Sequence, residues 1–337
     1  MATQSDIERV VDEGRVAIAR RDDAALRQIH RLYEDLMCRL EFEIRRLDSQ
    51  IAMAWRQGDY DAVVAWTRRQ EWFRTLNELA QAEIDRFVSG TQLVSIGAQV
   101  DAVSLAAATT GTLVEMIPSA SPLNPTALER WIVAARSPQS PVAEVLAKYG
   151  DIGNVIEKAI TDGMSMGRGS STITRTVMMQ IEDAIPEYRV AGVVRTETMR
   201  AYRGSQADSF AVLDEQRVLD GYIWMSAKDA TTCALCLAMD GQIFPTYPGR
   251  QHVRCRCIAA PYVSESIVPR LGAPRENGEQ WLLRQSESVQ RRALGTPGRY
   301  DLWKSGTPLR SMVAVETHPR WGETVRFTPL KELRTAS

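Results

Sequence analysis

A cluster of cysteines in the C-terminal half of the chain places the tightest constraint on its fold. Four of the five cysteines lie within 25 residues, and together with one histidine they follow the pattern C-x2-C-x15-H-x2-C-x-C. In a zinc knuckle, a C-x2-C turn and a second short Cys/His group meet around one tetrahedral ion. The spacing therefore predicts that two separate segments of the chain converge on one metal ion.

Five residues compete for the four positions of such a site: Cys233, Cys236, His252, Cys255 and Cys257. We expect the four cysteines to bind zinc, and the alternative is that His252 replaces one of the last two cysteines. Four protein ligands leave no coordination position for water, so the zinc would be structural rather than catalytic. A further alternative is that these cysteines are reduced core residues that bind no metal.

The first hundred residues carry two apolar stripes at helical spacing. One stripe recurs every three or four residues from Leu32 to Trp55, and the other does so from Val63 to Phe87. This periodicity predicts two amphipathic helices, and Gly58 supplies a turn between them. We therefore predict a long antiparallel helical hairpin, which either packs on itself or serves as an interaction arm.

The remaining chain is divided by turn-forming residues and by changes of pattern. Ser and Pro residues after position 118 mark the end of the hairpin, and a short strand is predicted at Tyr222–Ala227. The predicted fold class is mainly α with a small α+β zinc-knuckle part. Its four segments are a helical hairpin arm at 1–118, a helical domain at 119–220, a zinc-knuckle segment at 221–263 and a basic, irregular tail with some strands at 264–337.

Charge is distributed unevenly along the chain. The formal net charge is -1, yet residues 241–337 hold 15 Lys or Arg and 8 Asp or Glu. The total argues against a protein whose whole surface binds nucleic acid. The basic end is a candidate for contact with DNA phosphates or an acidic protein surface, or it is simply solvated. Three arginines beside the knuckle, Arg250, Arg254 and Arg256, either contact DNA or a partner or brace the knuckle itself.

Missing motifs exclude several functional classes. The chain has no H-x-E before its C-x-x-C, as a zinc deaminase requires, no H-E-x-x-H and no P-loop. We therefore expect no enzyme. No stretch reaches the roughly 18 uncharged apolar residues of a membrane span, and the first residues lack the pattern of a signal peptide. We expect no membrane span and a cytoplasmic site of synthesis.

The cluster and its surroundings also resemble a known family. The run D-x3-C-x2-C-x3-D-G-x2-F, followed by H-x2-C-R-C and preceded by Arg-Thr-Glu on a helix, resembles the phage head morphogenesis or minor head protein family, of which the phage Mu F protein is a representative. The resemblance spans residues 150–262 and rests, besides the candidate ligands, on Arg195, Thr196, Glu197, Asp229, Asp240 and Gly241. Arg195 and Glu197 are two positions apart on the predicted helix, so they do not face each other.

The resemblance implies a function and a set of partners. It implies a minor component of a tailed phage or prophage head that associates with the portal vertex during head assembly and is linked to DNA packaging or delivery. The implied partners are the portal protein, the major capsid or scaffolding protein, and genomic DNA. The implied location is the virion head, assembled in the host cytoplasm. The alternative function is a zinc-knuckle DNA-binding protein that uses the basic C-terminal region.

Overall fold

The computed structural model of this chain is dominated by helices. It describes residues 2–56, 65–118, 120, 125–149, 152–166, 170–248, 252–270, 275–318 and 322–335. The helices are α1 Gln4–Arg56, α2 Ala65–Met116, α3 Pro125–Arg136, α4 Pro141–Ala147, α5 Ile152–Ser165, α6 Ser170–Ala184, α7 Glu187–Glu215, α8 Ala234–Met239, α9 Gly278–Leu283, α10 Glu287–Leu294, α11 Pro297–Lys304 and α12 Leu330–Thr335. The predicted fold class is confirmed.

In the described part of the chain, five strands form two small sheets. Strands β1 Leu219–Met225, β2 Ile243–Phe244 and β3 Ile258–Val263 make an antiparallel sheet in the order β2-β1-β3. Strands β4 Val313–His318 and β5 Gly322–Phe327 pair as an antiparallel hairpin. In the first sheet Tyr222 lies opposite Phe244 on one side and Pro261 on the other. The strand predicted at Tyr222–Ala227 is thus the central strand of the sheet.

The chain folds into two compact units. Unit 1 comprises Met1–Asp22, Gln99–Ala134 and Thr198–Ser337, and unit 2 comprises Asp23–Ala98 and Ala135–Glu197. The helices α1, α2 and α7 each contribute residues to both units. For this reason the units do not coincide with the four segments predicted from sequence.

Unit 2 is built from the predicted apolar stripes. Ile29, Leu36, Leu40 and Ile44 of α1 are buried with Ala80, Ile84 and Phe87 of α2 in one cluster that also includes residues of α4 to α7. A Cβ atom added to Gly90 of α2 would lie 3.1 Å from the Leu32 side chain of α1, and Arg39 pairs with Glu83 at 3.7 Å, so the two helices run antiparallel. The predicted turn around Gly58 lies outside the described residues.

Unit 1 buries one face of the three-stranded sheet. Tyr222 and Trp224 of β1 are 2% and 0% exposed and pack with Phe210 of α7 in a core that also includes residues 7–18 of α1. Gln4, at the start of α1, accepts a hydrogen bond from the Val263 backbone N–H at 3.1 Å and donates one to the Pro261 carbonyl at 3.1 Å. The open edge of β3 is therefore capped by a side chain.

The tail after residue 263 is more regular than the sequence interpretation expected. It contains strands β4 and β5, as expected for this segment, but α9 to α12 were not anticipated, since helices of six to eight residues leave little periodicity. Two of them carry recognisable caps. Asn277 and Gln280 form a capping box at the start of α9, and Thr296 precedes Pro297 at the start of α11.

One helical stretch has the length and composition of a membrane span. Within the described residues, Asn77–Met116 passes a test on those two properties alone, with 44% of its most apolar window buried in the protein. Core helices of folded proteins pass the same test. The predicted absence of a membrane span therefore stays a prediction.

Candidate metal centre

Local structure brings the two halves of the Cys/His pattern together. Cys233 is the N-cap residue of α8, so Cys236 follows one turn later on the same helix. Asp240 and Gly241 then reverse the chain, with Gly241 at φ 83°, a conformation that favours glycine. The Gly241 N–H donates to the Trp224 carbonyl at 2.8 Å. The chain returns to the cluster through His252, and Cys257 is followed at once by β3.

All five predicted ligands meet in unit 1. The Nε2 atom of His252 lies 3.2 Å from the Sγ atoms of both Cys233 and Cys236. The Sγ atoms of Cys236 and Cys255 are 3.6 Å apart. Two sulfurs on one tetrahedral zinc, each bound at about 2.3 Å, lie about 3.8 Å apart. The spacing of these ligand atoms therefore suits a single ion.

The ligand atoms form two overlapping groups. Cys233, Cys236 and His252 make one, and Cys236, Cys255 and Cys257 make the other, with the atoms of each group within 4.8 Å of one another. Cys236, Cys255 and Cys257 are buried, while Cys233 and His252 are partly exposed. The Cys257 sulfur accepts the Ala227 backbone N–H at 3.3 Å. The cluster can therefore hold a metal ion with Cys236 near its centre.

The histidine is oriented for metal binding. Its Nδ1 atom lies 2.8 Å from the Val253 carbonyl oxygen, and a carbonyl can only accept, so Nδ1 carries the proton that is donated. Once the Nε2 proton is lost, a lone pair is left on this atom, which faces the two sulfurs. A backbone carbonyl that fixes the tautomer in this way is usual for histidine ligands of metals.

The cluster divides its cysteines into two kinds: hydrogen bonds with neighbouring cysteines raise the pKa of Cys236 and burial raises that of Cys257, whereas the other two thiols are shifted toward the thiolate. A hydrogen bond with Cys236, supported by His252, lowers the pKa of Cys233 to about 5 although burial opposes this. Burial alone would lower the pKa of His252, but hydrogen bonds and charge interactions with Cys233 and Cys255 outweigh it and raise that pKa to about 11. A hydrogen bond with Cys236 also lowers the pKa of Cys255. Thiolate is the form that binds zinc.

Asp229 accepts hydrogen bonds that link the segment before Cys233 to the second half of the knuckle. Its Oδ1 accepts the Thr231 backbone N–H at 2.9 Å and a hydrogen bond from Arg256 at 2.7 Å. Burial opposes its ionisation, but these hydrogen bonds from Arg256 and Thr231 prevail and lower the pKa of Asp229. Arg256 therefore joins the second half of the knuckle to the first, as in the bracing role considered for it.

Asp240 is the buried anchor on the other side of the cluster. Its side chain is 0% exposed and pairs with Lys228 and Arg275, each at 3.0 Å. Its Oδ1 also accepts the Ser226 backbone N–H at 2.7 Å. Arg275 in turn reaches Glu8 of α1 at 3.2 Å. Sequence reasoning singled out Asp240 but missed Glu8, Lys228 and Arg275, because no local pattern connects residues so far apart in the chain.

The remaining candidates lie in different surroundings. Arg254 is exposed and has a φ of 62°, whereas Arg250 lies outside the described residues. In unit 2 Arg195 forms a salt bridge with Asp23, and the Thr196 hydroxyl donates to the Gly192 carbonyl at 2.6 Å. Glu197 is 6% exposed. The Arg-Thr-Glu motif is thus engaged in contacts within the helical structure.

Comparison with known proteins agrees with this site. Residues 154–260 match a family model described as Phage Mu protein F like protein. The matched segment includes the Arg-Thr-Glu helix and all five Cys/His residues, and it covers about a third of the chain. The chain is therefore similar over this segment to phage head morphogenesis proteins, which confirms the resemblance. Neither the curated proteins nor the solved structures gave a match.

Proposed function

We propose that this protein is a minor head protein of a tailed phage or prophage, which associates with the portal vertex during head assembly. The observation that carries the proposal is the family match over residues 154–260, which contains both the Arg-Thr-Glu helix and the complete Cys/His cluster. The proposed partners are the portal protein, the major capsid or scaffolding protein, and genomic DNA during packaging or delivery. The protein would be assembled in the host cytoplasm and reside in the virion head.

The Cys/His cluster has a structural role in this proposal. Four of the residues Cys233, Cys236, His252, Cys255 and Cys257 would hold one zinc ion, which ties α8 to the start of β3. Such a closed ligand set stabilises a fold and leaves no position for a reacting water. We therefore propose no enzymatic activity for this centre.

The test is a pull-down of the tagged full-length chain from cells that are assembling particles. The lysate is treated with nuclease and washed at moderate salt, and retained proteins are identified by mass. Retention of portal or capsid proteins is the expected result. A matched control carries Cys236→Ser, which removes a ligand shared by both metal-binding groups. A second sample is processed without nuclease. The proposal would be contradicted if neither sample retained a head protein and the untreated sample retained nucleic acid alone.

A second function is favoured by the surface of the knuckle. Val253 is 65% exposed and is followed by the exposed Arg254, with Arg250 close in sequence. A DNA-binding protein with these arginines on phosphates would lose affinity steeply as salt rises. The variant to compare is Arg250→Gln with Arg254→Gln, and Arg310→Gln at another exposed site is its control. Arg256 stays unchanged because it holds Asp229. DNA retention that is equal in all three chains would exclude this function.

A further inference from the structure

Arg203 of α7 is a buried arginine beside the Cys/His cluster. The residue is 6% exposed. Its Nε donates to the Met199 carbonyl, one turn earlier, at 3.2 Å, and its Nη2 donates to the Cys255 carbonyl at 3.2 Å. Its Nη1 is buried and has no hydrogen-bond partner. The guanidinium is therefore directed at the backbone of a candidate ligand.

The charge of Arg203 has no carboxylate partner. Among the residues that the structure describes, no Asp or Glu oxygen forms an ion pair with it, whereas the buried Asp240 has both Lys228 and Arg275. Arginine remains protonated in proteins, and an unpaired buried charge is strongly unfavourable. A negative group other than a carboxylate must therefore balance it. The thiolates of the cluster supply such a group, since Arg203 Nη2 contacts the Cys255 backbone and the charge of Arg203 favours the Cys255 thiolate.

The possible ligand sets differ in net charge. A divalent zinc ion with two thiolates and neutral ligands is neutral, one with three thiolates and a histidine has a single negative charge, and one with four thiolates has two. One buried guanidinium matches the second case. The geometry agrees, because His252 lies 3.2 Å from two sulfurs and so stands inside the ligand shell.

Contacts around the cluster favour Cys255 over Cys257 as the fourth ligand. Both sulfurs belong to the metal-binding group without His252, but Cys255 Sγ is 3.6 Å from Cys236 Sγ and Cys255 also interacts with His252. Cys257 Sγ instead receives the Ala227 backbone N–H. Arg203 donates a hydrogen bond to the Cys255 carbonyl. This bond fixes the backbone of Cys255 and not that of Cys257.

We propose that the metal centre consists of Cys233, Cys236, His252 and Cys255, and that Arg203 is a positioning residue that neutralises its single negative charge and holds the Cys255 backbone. Cys257 is the candidate that does not bind. This inference rests on the zinc site of the proposed function. It extends that site by defining its ligands and by assigning a role to a residue outside the cysteine pattern.

The ligand set is tested by metal content and by cobalt substitution of the full-length chain. We expect about one zinc per chain for the wild type, the same for Cys257→Ser, and a loss for Cys255→Ser. Cobalt in place of zinc gives a thiolate charge-transfer band whose intensity rises with the number of bound sulfurs. Cys257→Ser should leave this band unchanged. Loss of the band in Cys257→Ser with retention in Cys255→Ser would overturn the assignment.

The role of Arg203 is tested by separating its charge from its hydrogen bond. Arg203→Gln keeps a donor and removes the charge, whereas Arg203→Lys keeps the charge. By chelator competition, Arg203→Gln should bind zinc about 10- to 100-fold more weakly, and Arg203→Lys should recover most of that loss. Arg200→Gln, at an exposed position of the same helix, is the control and should bind as the wild type does.

The outcomes separate this inference from the zinc site itself. A wild-type chain without zinc would overturn both. Zinc in the wild type with equal affinity in Arg203→Gln and Arg203→Lys would overturn only the role of Arg203. If Arg203→Gln does not fold, as judged by circular dichroism of the zinc-loaded chain, the comparison of Arg203→Lys with the wild type decides: a loss of affinity above tenfold contradicts charge neutralisation.

Discussion

The two units of this molecule differ in the kinds of side chains that each of them buries. Unit 2 buries apolar stripes of long helices, and its buried charged side chain among the described residues is Glu197. Unit 1 buries Glu8, Arg15, Asp22, Arg203 and Asp240 together with the cysteine cluster. Both units bury apolar clusters, but at the knuckle of unit 1 short strands and a six-residue helix surround buried charges and cysteines, whose burial is favourable only when they are paired or bind a metal. We therefore expect the knuckle to depend on its ion pairs and, when zinc is bound, on its metal ligands.

The largest effect should follow from removal of the metal. Cys236 belongs to both ligand groups, so Cys236→Ser should abolish zinc binding. Structural zinc contributes about 10–16 kcal/mol of apparent binding free energy in small zinc domains, and part of this would stabilise the knuckle. We expect loss of hydrogen-exchange protection in β1, α8 and β3, while residues 23–46 of α1 keep theirs. Cys38→Ser, at an exposed cysteine, is the control. Equal loss in both units would remove the distinction between them.

A core truncation in unit 2 should give the opposite pattern. Phe87 is 2% exposed and its ring meets that of Tyr33 edge-on at 5.9 Å. Phe87→Ala should lower the free energy of unfolding of unit 2 by about 3–5 kcal/mol and leave zinc content unchanged. Urea unfolding with parallel zinc analysis measures both. Phe42→Ala removes a ring that is 65% exposed and should change little. Zinc loss in Phe87→Ala would show that the two units are not independently stabilised.

A charge substitution in unit 1 tests the ion-pair network without touching a ligand. Asp240→Asn can still accept the Ser226 N–H but leaves Lys228 and Arg275 without a buried counter-charge. We expect a loss of about 3 kcal/mol in the free energy of unfolding, measured by urea unfolding of the zinc-loaded chain. Glu265→Gln is the matched control, because its side chain is 67% exposed and its pair with Arg270 is 3.6 Å long. A loss as small as that of the control would mean that the Asp240 ion pairs do not stabilise unit 1.

The same contrast explains how much of the structure the sequence could predict. The stripes of unit 2 follow a local period of three to four residues, so the antiparallel α1 and α2 were accessible from sequence. The cysteine spacing likewise predicted the cluster, and the Arg-Thr-Glu helix lies within α7. These features depend on neighbours in the chain, which periodicity and spacing can detect.

The parts that escaped prediction depend on distant contacts. Glu8 meets Arg275, and Arg203 meets Cys255, although nothing in the local sequence connects the members of either pair. The division into units also escaped, since a continuous helix gives no sign of where its neighbours change. The short helices α9 and α11 had cap residues as a signal, and Asn277 with Gln280 would have been the pattern to search for.

The smallest effect concerns the pH dependence of unit 1. Burial raises the pKa of Glu8 above its usual value, although Arg275 partly opposes this. Because the folded pKa is the higher one, ionisation of Glu8 opposes folding: its contribution to stability is largest below the unfolded value and is lost as pH rises through the folded pKa.

Glu8→Gln resembles the protonated acid. The variant should therefore gain stability relative to the wild type near neutral pH, and this difference should shrink as pH falls through the raised pKa of Glu8. Urea midpoints of both zinc-loaded chains measure it, with Glu13→Gln, exposed on the same helix, as the control. A difference that does not change with pH would mean that the pair with Arg275 fully offsets the burial of Glu8, so that ionisation of Glu8 neither favours nor opposes folding.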